Sequence, residues 1–351
     1  MTCPDRSTCR RPDQTRRGHV APASQTRVSP TRARPLSPFG RVLRLAQRLA
    51  CTVATVVACH NVAAAADAPD LGAVSEIAPG VFVHIGRIAQ IDADNRGDTA
   101  NWGFVVGERC VAVIDSGGSV DTGRALLAAV QAQTDKPICA LVATHVHPDH
   151  TLGLQAFDAL QPPPTMHAHK RLPAALAARK STYETLVRRQ LGETAPARIV
   201  VPQDLVEGST QLDLGGRVLT LTAWATAHTD HDLTVYDAKT RTLFAGDLLF
   251  VQHIPVVDGR LLGWLKQLPQ LQAIDAARVV PGHGPVTDAT GWQPQQAYLE
   301  ALRDGVQAAL AAGHNLAATV ESLPATPGWQ LVEQYHRRNV TSAYAELEWA
   351  D

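Results

Sequence analysis

Beyond residue 67 the chain alternates short apolar runs with polar turns. Gly80-Val-Phe-Val-His-Ile85, Trp102-Gly-Phe-Val-Val-Gly107 and Cys110-Val-Ala-Val-Ile-Asp115 are β-rich runs separated by Gly and polar residues, and they predict a meander of strands. Over 120–134 the apolar positions Leu126, Leu127 and Val130 recur at helical spacing, and 138–144 returns to a continuous apolar strand. Strand, helix, strand in that order predicts a crossover unit with parallel strands. The second half predicts a helix over 172–191 and strands over 217–223, 233–237, 242–245 and 278–280. Two βα-rich halves predict two sheets packed face to face with helices outside. Towards the C-terminus, Leu299, Leu302, Val306 and Leu310 form one stripe of a helix over 293–312, with Gly313 as its cap. A further helix over 329–349 follows the Pro327-Gly328 break.

The first 66 residues read differently. As far as Arg41 they are rich in Arg, Pro, Ser and Thr without apolar periodicity, a composition that cannot bury enough surface to order itself. Arg41, Arg44 and Arg48 then precede an apolar run from Leu49 to Ala58 and the small residues before Asp67, the layout of a secretory signal. A run of ten residues is too short to span a bilayer. Cleavage after Ala66 fits the pattern through Ala64 and Ala66. Val56-Val-Ala-Cys59 offers the alternative of a lipid anchor at Cys59, and translation from near Val42 or Leu43 or a mitochondrial transit peptide are others. The division expected is a leader over 1–66, a main domain over 67–290 and a C-terminal helical extension over 291–351 packed on it. A periplasmic or secreted location follows from the signal.

Charge changes the picture further. The chain holds 32 basic and 33 acidic residues, but the first 66 residues carry 11 Arg against Asp5 and Asp13 alone, leaving 21 basic and 31 acidic residues beyond. A surplus of negative charge argues against a nucleic-acid partner, whose affinity would come from phosphate neutralisation. Of six cysteines, four sit in the leader. Cys110 and Cys139 lie in apolar runs and read as buried free thiols that behave as small apolar residues, in preference to a bridge.

The chemistry is concentrated in Thr144-His-Val-His-Pro-Asp-His150, where an apolar strand ends. On an extended segment His145 and His147 project to one side and can share an ion, while the Pro148 turn swings Asp149 and His150 towards a second. Further candidates stand in Ala227-His-Thr-Asp-His-Asp232, Phe244-Ala-Gly-Asp-Leu248 and Pro281-Gly-His-Gly-Pro285, each interrupting or ending an apolar strand at one sheet edge. A bound metal lowers the pKa of its water from 15.7 to about 7, so hydroxide would attack a carbonyl or phosphoryl centre at neutral pH. Asp149 would then take or relay the proton. His231 reads as a turn residue beside these, and His169, Lys170 and Arg171 as a solvated helix start that could alternatively meet an anion.

His-x-His-x-Asp-His followed by His, Asp and Pro-Gly-His-Gly resembles the signature of the metallo-β-lactamase fold superfamily. The resemblance covers roughly residues 75–290 and implies an α/β fold, the αββα four-layer sandwich. It implies that His145, His147 and His228 bind a first zinc, that Asp149, His150 and His283 bind a second, and that Asp247 bridges both. Asp115 matches a supporting carboxylate of the family. Zinc β-lactamases of the family have Cys or Ser at the bridging position, so Asp247 points instead to an ester, thioester, lactone or amide of a small molecule. His253, six residues beyond Asp247, is a candidate for a hydrogen bond to substrate or to a supporting carboxylate.

Residues 246–264 and 335–349 also resemble the exported quinoprotein relay system zinc metallohydrolases. That resemblance implies a periplasmic quinoprotein or cytochrome partner. The readings to be separated are therefore a hydrolase with two zinc ions, an iron-dependent sulfur or redox enzyme of the persulfide dioxygenase kind on the same scaffold, and a metal-stabilised binding protein with little turnover.

Overall fold

The computed structural model describes residues 73–349, apart from 193, 194, 196 and 197. The expected leader, its expected cleavage after Ala66 and the alternative anchor at Cys59 lie outside the described residues. Two sheets carry the fold. The first has seven strands in chain order: β1 (Ser75–Ala78), β2 (Val81–His84), β3 (Trp102–Val106), β4 (Val111–Ile114), β5 (Ile138–Ala143), β6 (Thr165–His169) and β7 (Asp204–Val206). It is antiparallel as far as β4 and parallel from β4 to β7, because α1 (Val120–Gln133), α2 (Pro148–Thr151) and α3 (Leu172–Leu191) serve its crossovers. The second sheet runs in the order β12 (Arg278–His283), β11 (Thr242–Phe250), β10 (Leu233–Asp237), β9 (Val218–Ala223) and β8 (Ser209–Asp213). Four helices complete the chain: α4 (Leu261–Gln272) before β12, then α5 (Trp292–Ala311), α6 (Leu316–Ser322) and α7 (Val332–Leu347).

Alternation along the strands divides the apolar residues among three interfaces. Val81, Val83, Val105, Ala112, Ile114, Ala140 and Val142 meet Leu219, Leu221, Leu233, Val235 and Phe244 between the sheets. Their sequence neighbours Phe82, Phe104, Val113 and Leu141 point the other way, onto Leu126, Val130, Leu172 and Leu176 of α1 and α3. On the far side of the second sheet, Leu243 and Ala245 pack with Leu261 and Trp264 of α4, Leu299 and Leu302 of α5, and Val340 and Tyr344 of α7. Helix, sheet, sheet, helix is the four-layer αββα order that the alternation predicts.

Local chemistry explains the boundaries. Ser119 and Thr122 form a reciprocal capping box at the start of α1. Gly313, at φ +74°, stops α5: its amide bonds Leu310 O while that of His314 bonds Ala309 O, the paired pattern of a Schellman end. Three expectations need correction. The last helix begins at Val332, not Trp329, because Gln330 is drawn into a parallel bridge with His253. β11 runs on to Phe250, past the expected end at Ala245, so Asp247 lies inside a strand whose register with β12 shifts around Gly246.

The third correction concerns the cysteines. Cys110 and Cys139 are joined by a disulfide with their Cα atoms 5.7 Å apart. Parallel pairing of Val111 with Ile138 sets the flanking residues side by side, a proximity that the apolar character of both runs conceals.

Candidate metal centre

The four stretches of candidate donors singled out in the sequence converge at one edge of the sandwich. His145 and His147 follow β5, Asp149 and His150 open α2, His228 lies between β9 and β10, Asp247 is in β11, and His283 ends β12. Their inward atoms form two groups, each with all ligand atoms within 4.8 Å of one another: His145, His147, His228 and Asp247 in one, Asp149, His150 and His283 in the other. In the first, His147 Nδ1 lies 3.0 Å from His145 Nε2 and 3.1 Å from His228 Nε2. Asp247 Oδ2 faces this group, 3.3 Å from His228 Nε2 and 3.5 Å from His145 Nε2. Its Oδ1 faces the second group, 3.1 Å from His150 Nε2 and 3.5 Å from His283 Nε2. One carboxylate thus gives one oxygen to each group.

The outward ring atoms are held. His150 Nδ1 stands 2.8 Å from Asp115 Oδ2, His228 Nδ1 2.7 Å from Val256 O, and His283 Nδ1 2.8 Å from Thr99 O. His145 Nδ1 lies 3.0 Å from Thr144 Oγ1, whose own hydrogen goes to Asp115. His147 is turned the other way: its Nε2 is 3.0 Å from Asp258 Oδ2, so Nδ1 is its inward atom. Fixing the outer nitrogen sets which inner nitrogen presents a lone pair. Asp115, in a left-handed conformation at φ +56°, also accepts the Thr144 amide and so ties the end of β4 to the His145 turn.

Burial and mutual charge act strongly here. Burial, joined by the neighbouring His150, holds His145 well below the ordinary histidine range, and burial pushes His228 down to about 3. Burial also opposes charge on His150, but Asp247 and Asp115 outweigh it and hold that ring well above its ordinary range. For Asp247 burial disfavours ionisation, yet the imidazoles of His150, His283, His145 and His228 keep it well below the carboxylate range. His150 Nε2 and Asp247 Oδ1 are buried without a hydrogen-bond partner. Two orphaned atoms within a converging set of five imidazoles and two carboxylates fit divalent metal ions.

Backbone shape makes room for this convergence. A Cβ on Gly282 would lie 1.9 Å from Asp247 Oδ1. Gly246, at φ +53°, lets the chain turn beside Thr144, where a side chain would meet the threonine at 2.7 Å.

Above the centre a cavity of about 460 Å³ is lined by Asp149, Asp247, His147 and His283 at its base, with Tyr183 and Leu186 of α3 and Tyr335 of α7. His253 lines it too. Its Nδ1 lies 2.6 Å from Ile254 O, and burial beside His283 pushes the ring down to about 4. His231 lies in the His228 turn, Nδ1 2.6 Å from Asp230. His169, Lys170 and Arg171 line a separate cleft, where Lys170 pairs with Glu207.

The sequence reading missed Asp258, which holds His147, and Asn101, whose amide bonds Pro281 O and Gly284 O and fixes the His283 turn. It also missed Asn339, which takes the Val257 amide and bonds Pro255 O.

The family model described as the metallo-beta-lactamase superfamily matches residues 95–283, more than half of the chain. The chain belongs to this superfamily. Among curated relatives it is 30% identical over 187 residues to the Gallus gallus acyl-coenzyme A thioesterase MBLAC2, a match covering 48% of this chain and 62% of that protein. A linear primary-alkylsulfatase of Pseudomonas sp. (strain ATCC 19151) is 51% identical over 45 residues, 13% of this chain and 8% of that enzyme. The chain thus spans less than two thirds of these relatives. Among solved structures, the metallo-beta-lactamase from Pontibacter korlensis superposes with a TM-score of 0.54 at 20% identity, over 65% of this chain and 98% of that one. The sec-alkylsulfatase Pisa1 from Pseudomonas sp. gives 0.62 at 16% identity, over 78% and 49%. These superpositions establish the fold alone.

Proposed function

We propose that the protein is a dinuclear metal-dependent hydrolase that cleaves an ester or thioester of a small molecule. The observation that carries this reading is Asp247, whose two oxygens face two separate donor groups. His145, His147, His228 and Asp247 would hold one ion; Asp149, His150, His283 and Asp247 the other. Zinc fits three neutral imidazoles in the first group. Bound there, the ions would supply Lewis-acid activation of water and of the substrate's carbonyl.

The chain's own residues do the rest. Asp115, Thr144, Asp258 and the carbonyls of Val256 and Thr99 orient the imidazoles and keep their inner nitrogens free. Asp149 directs Oδ2 towards His283 at 3.5 Å, which leaves Oδ1 to accept the proton of the attacking water and return it to the leaving group. His253, neutral at pH 7 and set at the cavity wall, offers Nε2 to the substrate. The likeness to an acyl-coenzyme A thioesterase supports an acyl substrate, and the local likeness to an alkylsulfatase favours sulfate esters as the second reading.

Export to an oxidising compartment belongs to the same proposal, supported by the Cys110–Cys139 bridge and the signal-like leader. A link to a quinoprotein system is supported by the resemblance of residues 246–264 and 335–349, stretches that supply His253, Val256, Asp258, Tyr335 and Arg338 to the cavity. The test is turnover by zinc-loaded protein of acyl-coenzyme A thioesters, nitrophenyl esters and alkyl sulfates, with Asp247→Ala as control. Hydrolysis of an acyl substrate that the control lacks is expected. Iron with oxygen uptake, or no turnover of any of the three, overturns the reading.

A further inference from the structure

The cavity above the metal centre has a charged side that bond cleavage itself does not require. Arg338 of α7 donates to Asp258 Oδ1, and Arg179 of α3 stands 3.7 Å from Asp258 Oδ2, beyond hydrogen-bonding distance. Asp258 Oδ2 is already engaged by His147. Of the acidic residues lining the cavity, Asp149 and Asp247 belong to the donor groups, so Asp258 alone faces two guanidiniums. One carboxylate neutralises one of them and leaves a unit of positive charge beside Asp258.

Bracing Asp258 does not account for both arginines. Each guanidinium carries five N–H donors in a planar fork, and a single bond to Asp258 leaves most of them available. Their side chains are 36% and 51% exposed, open to solvent and to the cavity they line. Leu186 and Val256 add apolar lining, and the volume of about 460 Å³ suits a small molecule. One space therefore combines the donor groups, an apolar lining and, one carboxylate away from His147, forked cationic donors that the donor groups do not use.

We infer that Arg179 and Arg338 form an anion subsite, which selects substrates carrying an acidic group on the part of the molecule that is not cleaved. The group is an oxyacid, a carboxylate, sulfonate or phosphonate-type anion, since these match the guanidinium fork two oxygens at a time. That the remaining part is an ester or thioester rests on the hydrolase reading above; the anion subsite does not.

The experiment has a binding arm and a turnover arm, both on metal-loaded protein. In the first, calorimetry compares butyrate, propanesulfonate and propylphosphonate with neutral 1-butanol for the wild type, Arg179→Gln and Arg338→Gln. At least one anion should bind tenfold or more tightly than butanol, the tightest identifying the acid, and each variant should lose that preference about tenfold. Arg179→Gln keeps the test valid if loss of Arg338 disturbs folding. Equal binding of anions and butanol, or a preference that survives both substitutions because the anion rests on the metals, overturns the inference. In the second arm, mono-4-nitrophenyl glutarate is compared with 4-nitrophenyl butyrate. A charged-to-neutral ratio of kcat/KM that falls at least tenfold in the variants supports the subsite. Anion-selective binding without hydrolysis of any ester would sink the hydrolase reading and leave the subsite standing. Hydrolysis at equal kcat/KM for both esters, with no binding preference, would do the reverse.

Discussion

Oδ2 of Asp258 stands 3.0 Å from Nε2 of His147, a contact between residues 111 positions apart in the chain. It makes a carboxylate of the cavity-lining loop after β11 responsible for the direction in which one donor of the first group points. Removing such an orienting partner typically lowers metal affinity or activity 10–100-fold. Asp258→Ala should do so here, with Asp258→Asn losing less because its amide oxygen can still accept from the ring. Zinc titration beside kcat for both variants checks this, and an affinity equal to wild type for Asp258→Ala would show that His147 needs no such support.

Gly282 packs its backbone against the Asp247 carboxylate. A methyl group placed 1.9 Å from Oδ1 must displace that oxygen from the second donor group, so Gly282→Ala should lose second-site metal while retaining its circular dichroism spectrum. Full metal content in the folded variant would mean that Oδ1 is not where the second group is completed.

The Cys110–Cys139 bridge closes a loop of 29 residues. The chain-entropy relation assigns such a loop about 3.6 kcal/mol through restriction of the unfolded chain. Replacing both cysteines by Ala should lower the free energy of unfolding by about that amount in urea, and dithiothreitol should do the same to the wild type. A variant as stable as the parent would show the bridge to be without consequence.

Two buried histidines outside the donor groups make stability depend on acid. Burial pushes His231 and His253 each down to about 4, against about 6.5 in an unfolded chain. Above pH 6.5 both states are neutral and stability is complete. As pH falls from 6.5 to 4 the unfolded chain takes up protons that the folded protein refuses, and stability falls by about 3 kcal/mol per histidine, then levels off. Urea unfolding at pH 7 and pH 4.5 should show this decline, and His231→Gln and His253→Gln should each show a shallower one. An equal slope in all three proteins would contradict it.

How much of this was legible in the sequence depends on distance along the chain. The four donors at His145, His147, Asp149 and His150 lie within six residues, so their density alone exposes them. His228, Asp247 and His283 stand in separate stretches, visible because each interrupts or ends an apolar strand, and the family resemblance implies which ion each would hold. Asp258, Arg338 and Asn339 carry no local signal: each is an ordinary polar residue until folding sets α7 against the loop after β11. Helix α4 escaped notice although Leu261, Trp264, Leu268 and Leu271 recur at helical spacing, because Gly263 and Pro269 fall inside it. β7 and β8 are short, largely exposed edge elements with little alternation to read. The disulfide was hidden for the opposite reason, since apolar neighbours make a bridged cysteine look like any buried small residue.

The central claim is that Asp247 completes two metal sites at once. Elemental analysis of zinc-saturated, desalted protein tests it most directly. Two equivalents of metal per chain in the wild type, falling to one or fewer in Asp247→Ala, is the predicted result. A single equivalent in the wild type, or two retained by the variant, would contradict it.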